Sequence, residues 1–261
     1  MKILILNQSE VEQLLPMRNC IEVMVEALTA LAQGRVHLPL RMVVRPTDAK
    51  GLLGLMPAYM SGARAAFGIK IIGVFNGNPA IGKDSHQGAV LLISGETGEP
   101  LALMNASAIT AIRTGAVSGV ATRLLAREAA GDLAIIGSGV QARSHLAAMA
   151  CVRSIKRVRI VSRSFDHAQR FVSEMRLLYS FPVEAVKSVR EAVDHADLIV
   201  TVTSSSEPIL KREWISSGAH LNVVGASLPH AREVDSATMA ASSLFVDRRE
   251  STLNESGDYL F

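Results

Sequence analysis

Apolar residues along this chain follow two different rhythms, and the change between them falls near residue 130. In the first part Ile21, Met24, Val25, Leu28 and Leu31 recur at helical spacing, which predicts an amphipathic helix over 17–32 closed by Gly34. Short apolar runs follow at 41–44, 52–56, 66–75, 88–94 and 100–104. Turn residues separate them, notably Gly77-Asn78-Pro79 and Glu96-Thr97-Gly98-Glu99. This half reads as a helix packed on a mostly antiparallel sheet, followed by a longer connecting helix over 108–127.

Beyond that helix, strands and helices alternate. The runs 133–136, 157–161, 183–186, 198–203, 220–224 and 244–247 read as strands, with helices such as 141–152 and 165–178 between them. That rhythm predicts βαβ units and a parallel sheet with right-handed crossovers. The expected fold class is α/β. A Rossmann-type doubly wound parallel sheet over 131–261 follows an N-terminal α/β domain over 1–130 that ends in the connector helix.

Composition narrows the class. The chain has 261 residues, 49% of them hydrophobic, ample for a real core, and no run of eighteen apolar residues that would span a bilayer. Met1 to Asn7 is too short an apolar stretch for a secretory signal. Cys20 and Cys151 have neither metal-ligand spacing nor a disulfide framework, so no metal is expected and a cytoplasmic location is. The net charge of +3 is spread along the chain without a dense basic block, which argues against nucleic acid and suits a small anionic ligand.

The strand run Asp132-Leu133-Ala134-Ile135-Ile136 leads directly into Gly137-Ser138-Gly139-Val140-Gln141-Ala142. The first glycine allows a tight turn, the second lets backbone approach a pyrophosphate, and the small sixth residue lets helix and strand pack closely. N–H groups at the following helix start suit phosphates. As an isolated pattern this is an ordinary strand-to-helix turn; at the head of a βαβ series it predicts a dinucleotide. After the second strand stands Ser162-Arg163-Ser164, where a fold preferring NAD places an acid. Two hydroxyls and a guanidinium suit a 2′-phosphate, so NADP(H) is expected over NAD(H). The opposing reading makes Arg163 a solvated loop residue and gives the ribose to Asp166.

Two cations interrupt apolar patterns. Arg113 shares a helix face with Ile109, Ala116, Val117, Val120 and Leu124, and Lys70 interrupts the run 67–72. Such charges need an anionic partner or an opening to a cleft. A snorkelling arginine and an edge-strand lysine are the plainer explanations. Arg45, before Pro46, and His86, in Ser85-His86-Gln87-Gly88, carry no signal by themselves.

Taken together, Lys70, the Thr97-to-Ala102 turn, Ile109 to Thr114, Gly137 to Ala142, Val224-Gly225-Ala226-Ser227 and Glu255-Ser256-Gly257-Asp258 resemble the ornithine cyclodeaminase and mu-crystallin family. The resemblance covers essentially the whole chain. It implies an N-terminal domain that dimerises and binds substrate, and a Rossmann domain whose cofactor-binding residues are Gly137, Ser138, Gly139, Val140, Gln141, Ser162, Arg163, Ser164, Val202, Thr203 and Ala226. By the same resemblance Arg45, Lys70 and Arg113 hold a substrate carboxylate and Lys70 takes part in proton transfer. Apart from the resemblance, His86 is a further substrate-side candidate as a proton donor, although a lone histidine is more often structural. Cyclodeaminases carry an Asp where this chain has Ser227; Ala226-Ser227 is similar to the mu-crystallin branch, whose activity is ketimine reduction with NADPH. The implied function is reduction of a small cyclic imino acid, such as 1-pyrroline-2-carboxylate or 1-piperideine-2-carboxylate, by a homodimer with Lys70, Arg113 and Ser227 at the chemistry. The alternatives are an ornithine cyclodeaminase, an alanine-type amino acid dehydrogenase, and a non-catalytic binder of NADPH and a small ligand. Family members also carry a C-terminal segment beyond the Glu-Ser-Gly-Asp motif, so a truncated product is expected.

Overall fold

The computed structural model describes residues 2–261. Its first elements are β1 (Leu4–Leu6), α1 (Gln8–Leu14), α2 (Met17–Ala32), β2 (Val36–His37), β3 (Met42–Val44) and β4 (Leu52–Met60). They are followed by β5 (Ala66–Val74), β6 (His86–Ser94), β7 (Pro100–Asn105) and α3 (Ala106–Leu125). The hydrophobic pattern predicts the central strands and α2. It misses β1, β2 and α1, although Asn7 and Glu10 form a capping box: Asn7 Oδ1 accepts from the Glu10 N–H at 3.0 Å and Glu10 Oε2 accepts from the Asn7 N–H at 2.8 Å.

β4, β5, β6 and β7 form an antiparallel meander, with β1 added parallel to β7 and β2 and β3 on the far side of β4. Side chains alternate between faces. Ile72 and Ala102 lie buried on one face, as do Cys20 and Ile21 of α2 and Ala106 and Ala108 of α3 within the same unit. The opposite face leaves Met42, Val44, Leu53, Phe67 and Ile71 exposed.

The second set comprises β8 (Asp132–Ile136), α4 (Val140–Val152), β9 (Arg157–Val161), α5 (Phe165–Met175), β10 (Val183–Ala185), α6 (Val189–Val193), β11 (Leu198–Thr201) and β12 (His220–Val223). Three short helices, α7 (Ser236–Ala240), α8 (Arg249–Glu255) and α9 (Gly257–Leu260), complete it. The five strands are all parallel, in the order β10-β9-β8-β11-β12. Ala134, Ile136 and Ile199 pack on one face with Ala192 and Val193 of α6. On the other face Asn222 Nδ2 of β12 reaches Met149 Sδ of α4 at 3.8 Å. Helices therefore cover both faces, and this is the doubly wound arrangement expected from the alternating pattern.

Two expectations change. The run 244–247 is not a strand: Leu244, Phe245 and Val246 are exposed and outside the sheet, because local apolar character supplies no pairing partner. The chain also divides into compact units inside α3, at Arg113/Thr114, and not near residue 130. The later turns of α3 are bonded into the second unit, where Ser118 Oγ lies 3.0 Å from His145 Nε2 and Asn222 Nδ2 donates to Thr122 Oγ1 at 2.9 Å.

Candidate functional site

In the first unit Lys70 stands mid-strand on β5, on the face that buries Ile72. Its Nζ makes a long hydrogen bond of 3.4 Å to Thr110 Oγ1 on α3. Burial, then the charges of Arg113 and Arg41, lower the Lys70 pKa from 10.5 to about 8. Both charges are positive, so they favour either the neutral form of Lys70 or an incoming anion. Arg113 lies half-buried one turn beyond Thr110 on α3.

The Arg41 charge acts on Lys70 from the β3 side. Met42 pairs with Leu55, and Met56 pairs with Lys70, so the register sets position 41 beside Met56 in the Lys70 row. Arg45 is exposed, four residues further along, roughly 13 Å away by strand rise. No local pattern separates the two arginines; only strand register does. His86 opens β6, with Ser85 Oγ 3.0 Å from its Nδ1. Burial and the Lys70 charge hold its pKa below the usual value, against the opposing pull of Asp84.

In the second unit β8 runs into Gly137, whose φ is +113°. A Cβ there would meet the Val202 carbonyl oxygen at 2.6 Å, so glycine is required by both conformation and space. Gly139 caps α4 at φ −80° without a side-chain bond, and a Cβ on it would meet nothing within 4 Å. Its backbone therefore faces open space, the opening a phosphate group needs. Ala142 is fully buried, which lets α4 lie close to the sheet. The first N–H groups of α4 have no acceptor within the helix. Gln141 Oε1 is buried with no hydrogen-bond partner among the described residues. This turn lies where the strand order reverses between β8 and β11, the switch point at which such sheets bind ligands. Backbone, space and donor set fit a dinucleotide.

Ser138 Oγ donates to Ser162 Oγ at 2.9 Å, tying the glycine turn to the end of β9. Arg163 is exposed, Ser164 caps α5, and Asp166 lies in the first turn of that helix. Past β11, Val202 backs Gly137, and Thr203 donates from its N–H and its hydroxyl to Glu233 Oε1, at 2.5 and 2.7 Å. Glu233 Oε2 accepts from Thr201 Oγ1 at 2.7 Å and from the Gly225 N–H at 2.6 Å. One fully buried carboxylate thus holds the ends of β11 and β12 together. Asp258 Oδ1 in turn accepts from the Glu233 and Val234 N–H groups at 2.9 and 3.1 Å. Sequence reasoning singled out Gly257 and Asp258 as motif residues but missed Glu233, whose partners are distant in the chain. Ala226 is buried, and Ser227 stands exposed in the loop after β12.

The sequence matches the model of the ornithine cyclodeaminase/mu-crystallin family over residues 1–261. The chain belongs to that family. Ketimine reductase mu-crystallin of Mus musculus is 44% identical over 227 residues, covering 87% of this chain and 71% of that protein. Among solved structures, Thermococcus litoralis Delta(1)-pyrroline-2-carboxylate reductase in complex with NADH and L-proline superposes with a TM-score of 0.94 at 38% identity, covering 98% of this chain and 79% of that one. An archaeal alanine dehydrogenase dimer with bound NAD gives a TM-score of 0.90 at 33% identity, covering 97% and 77%. Among the described residues, no helix is long and apolar enough to cross a membrane, and no group of three or more His, Cys, Asp or Glu could hold a metal ion.

Proposed function

We propose that this member of the ornithine cyclodeaminase/mu-crystallin family reduces the C=N bond of a small cyclic ketimine carboxylate with NADPH. The observation that carries the reading is the half-buried Lys70 beside Arg113 and Arg41, with its pKa lowered to about 8. Arg41 and Arg113 supply the charge that binds and orients a carboxylate. Lys70, as ammonium, donates a proton to the imine nitrogen, and an acid of that strength is well matched to neutral or mildly alkaline pH. The Gly137–Gln141 turn would hold a nicotinamide nucleotide, whose chemistry when bound would be hydride donation. Ser227 offers no carboxylate base, which favours reduction of a preformed imine over deamination of an amine. The Lys70 charge acting on His86 supports His86 as a further substrate-side group.

Ser162, Arg163 and Ser164, with no acid directly after β9, support NADPH over NADH. The exposed apolar outer face of the first sheet supports a homodimer through that unit, an arrangement in keeping with the dimeric archaeal relative. Free Cys20 and Cys151 suit the cytoplasm. The likeness to alanine dehydrogenase keeps one second reading, a linear imino acid as substrate. The deciding experiment is NADPH oxidation with five- and six-membered cyclic ketimine carboxylates, beside pyruvate with ammonia and an ornithine assay for released ammonia. Turnover with the cyclic imines is expected; turnover confined to pyruvate plus ammonia would transfer the assignment to the second reading.

A further inference from the structure

The guanidinium of Arg143, on the first turn of α4, spans three elements. Its Nη1 donates to the carbonyl oxygens of Ser138 and Gly139 at 3.1 and 3.2 Å. Its Nε donates to Glu174 Oε2 on α5 at 3.0 Å, and its Nη2 makes an ion pair with the same oxygen. The guanidinium carbon also lies 5.5 Å from the ring centroid of the fully buried Phe171, one turn earlier on α5. Carboxylate and ring together hold the guanidinium in this orientation.

That orientation has a consequence for the glycine turn. In a trans peptide the C=O and the N–H point in opposite directions, and no cis peptide occurs among the described residues. Pinning the Ser138 oxygen therefore aims the Gly139 N–H away from Arg143, and pinning the Gly139 oxygen aims the Val140 N–H away likewise. The space at Gly139 is open. The Gly139 oxygen also accepts from the Ala142 N–H at 3.1 Å. The Ser138 peptide has no such backbone restraint among the described residues, and a glycine-rich turn is otherwise free to rotate, at a cost in entropy when a ligand orders it.

We propose that Arg143 is a positioning residue for the pyrophosphate of the dinucleotide, holding the Gly139 and Val140 N–H groups in their binding orientation before the ligand arrives. Glu174 already neutralises the guanidinium, so the contribution is orientation and not net charge. The inference rests on the dinucleotide reading above and adds a residue outside the Gly-x-Gly-x-x-Ala pattern itself. It also makes α5, which begins just after the expected 2′-phosphate residues, a support for the phosphate turn through Phe171 and Glu174.

The test compares two ligands by titration calorimetry on wild type, Arg143→Met, Arg143→Lys and Glu174→Gln. NADPH carries the pyrophosphate; 2′-AMP carries the adenosine and the 2′-phosphate without it. Arg143→Met and Arg143→Lys are expected to weaken NADPH about tenfold while 2′-AMP stays within about twofold, and Glu174→Gln to show the same split more weakly. A merely structural role would weaken both ligands together. Unchanged NADPH affinity in Arg143→Met, full rescue by Arg143→Lys, or a parallel loss of 2′-AMP binding would each overturn the proposal. Should Arg143→Met fail to fold, the Glu174→Gln split decides alone. Wild-type protein that binds neither NADPH nor NADH would instead remove the dinucleotide reading, a separate result.

Discussion

Lys70 Nζ reaches Thr110 Oγ1 at 3.4 Å, so the amine on β5 meets the helix that carries Arg113 one turn further on. The lowered pKa of Lys70 means that the folded protein sheds this proton before the unfolded chain does, at about 8 against 10.5. A depressed pKa contributes stability that is present above the unfolded value and lost as pH falls through the folded one. Without ligand, the charged amine is thus a cost below pH 8 that fades as pH rises toward 10.5. Lys70→Met should therefore melt above wild type at pH 7, with the gap closing across that window. The same variant should lose at least about a hundredfold in kcat on any accepted imine. Equal melting temperatures at pH 7, together with wild-type turnover, would remove Lys70 from the site.

Cofactor choice is tested at Arg163, exposed between Ser162 and Ser164. NADPH should bind wild type more tightly than NADH. Arg163→Asp should cost NADPH about 1.5–3 kcal/mol, or one to two orders of magnitude in affinity, and bring the two cofactors level. Equal affinities in the wild type would shift the ribose role to Asp166 or to backbone.

Ser227 separates reduction from cyclodeamination. Oxidising an amine requires a base for the departing proton, and a serine hydroxyl has no useful basicity near neutral pH. Wild type should release no ammonia from ornithine under conditions in which cyclic ketimines are reduced. Ser227→Asp is expected to gain at most a trace of that activity, since a catalytic carboxylate also needs neighbours that orient it. Robust conversion of ornithine by the unmodified protein would reverse the assignment.

Glu233 accepts four hydrogen bonds while fully buried, and its substitution should be felt as stability first. Glu233→Gln turns one acceptor oxygen into a donor facing other donors. The expected loss is about 1–3 kcal/mol, or roughly 2–10 °C in Tm, read from calorimetry or urea melts. Thr203→Val removes one of the four donors and should cost less. A Glu233→Gln protein that melts with wild type would show that the network adds nothing.

Much of the candidate site was readable because its signals are local. The Gly137–Ala142 turn announces itself through the residues that a strand, a phosphate loop and a helix start require in succession. Lys70 and Arg113 stood out because a charge on an apolar face violates the pattern around it. Arg45 carried no such local signal, and its substrate role rests on the family resemblance alone. Arg41 and Arg45 flank β3 on either side, and only the pairing Met42–Leu55 and Met56–Lys70 brings position 41 into the Lys70 row. Glu233 was invisible because its partners at 201, 203 and 225 lie well away along the chain.

The sequence by itself determined the class of fold, through the change from meander to alternation. It also marked the Gly137–Ala142 turn proposed to hold the phosphates, because short-range steric demands leave few residues free to vary there. The tertiary structure decided what depends on contacts distant in the chain. Strand register brought position 41 into the Lys70 row, a buried carboxylate joined β11 to β12, and Arg143 found its anchor on the next helix. It also left Leu244–Val246 outside the sheet despite strand-like composition, since apolar residues favour extended backbone but cannot supply a neighbour to pair with.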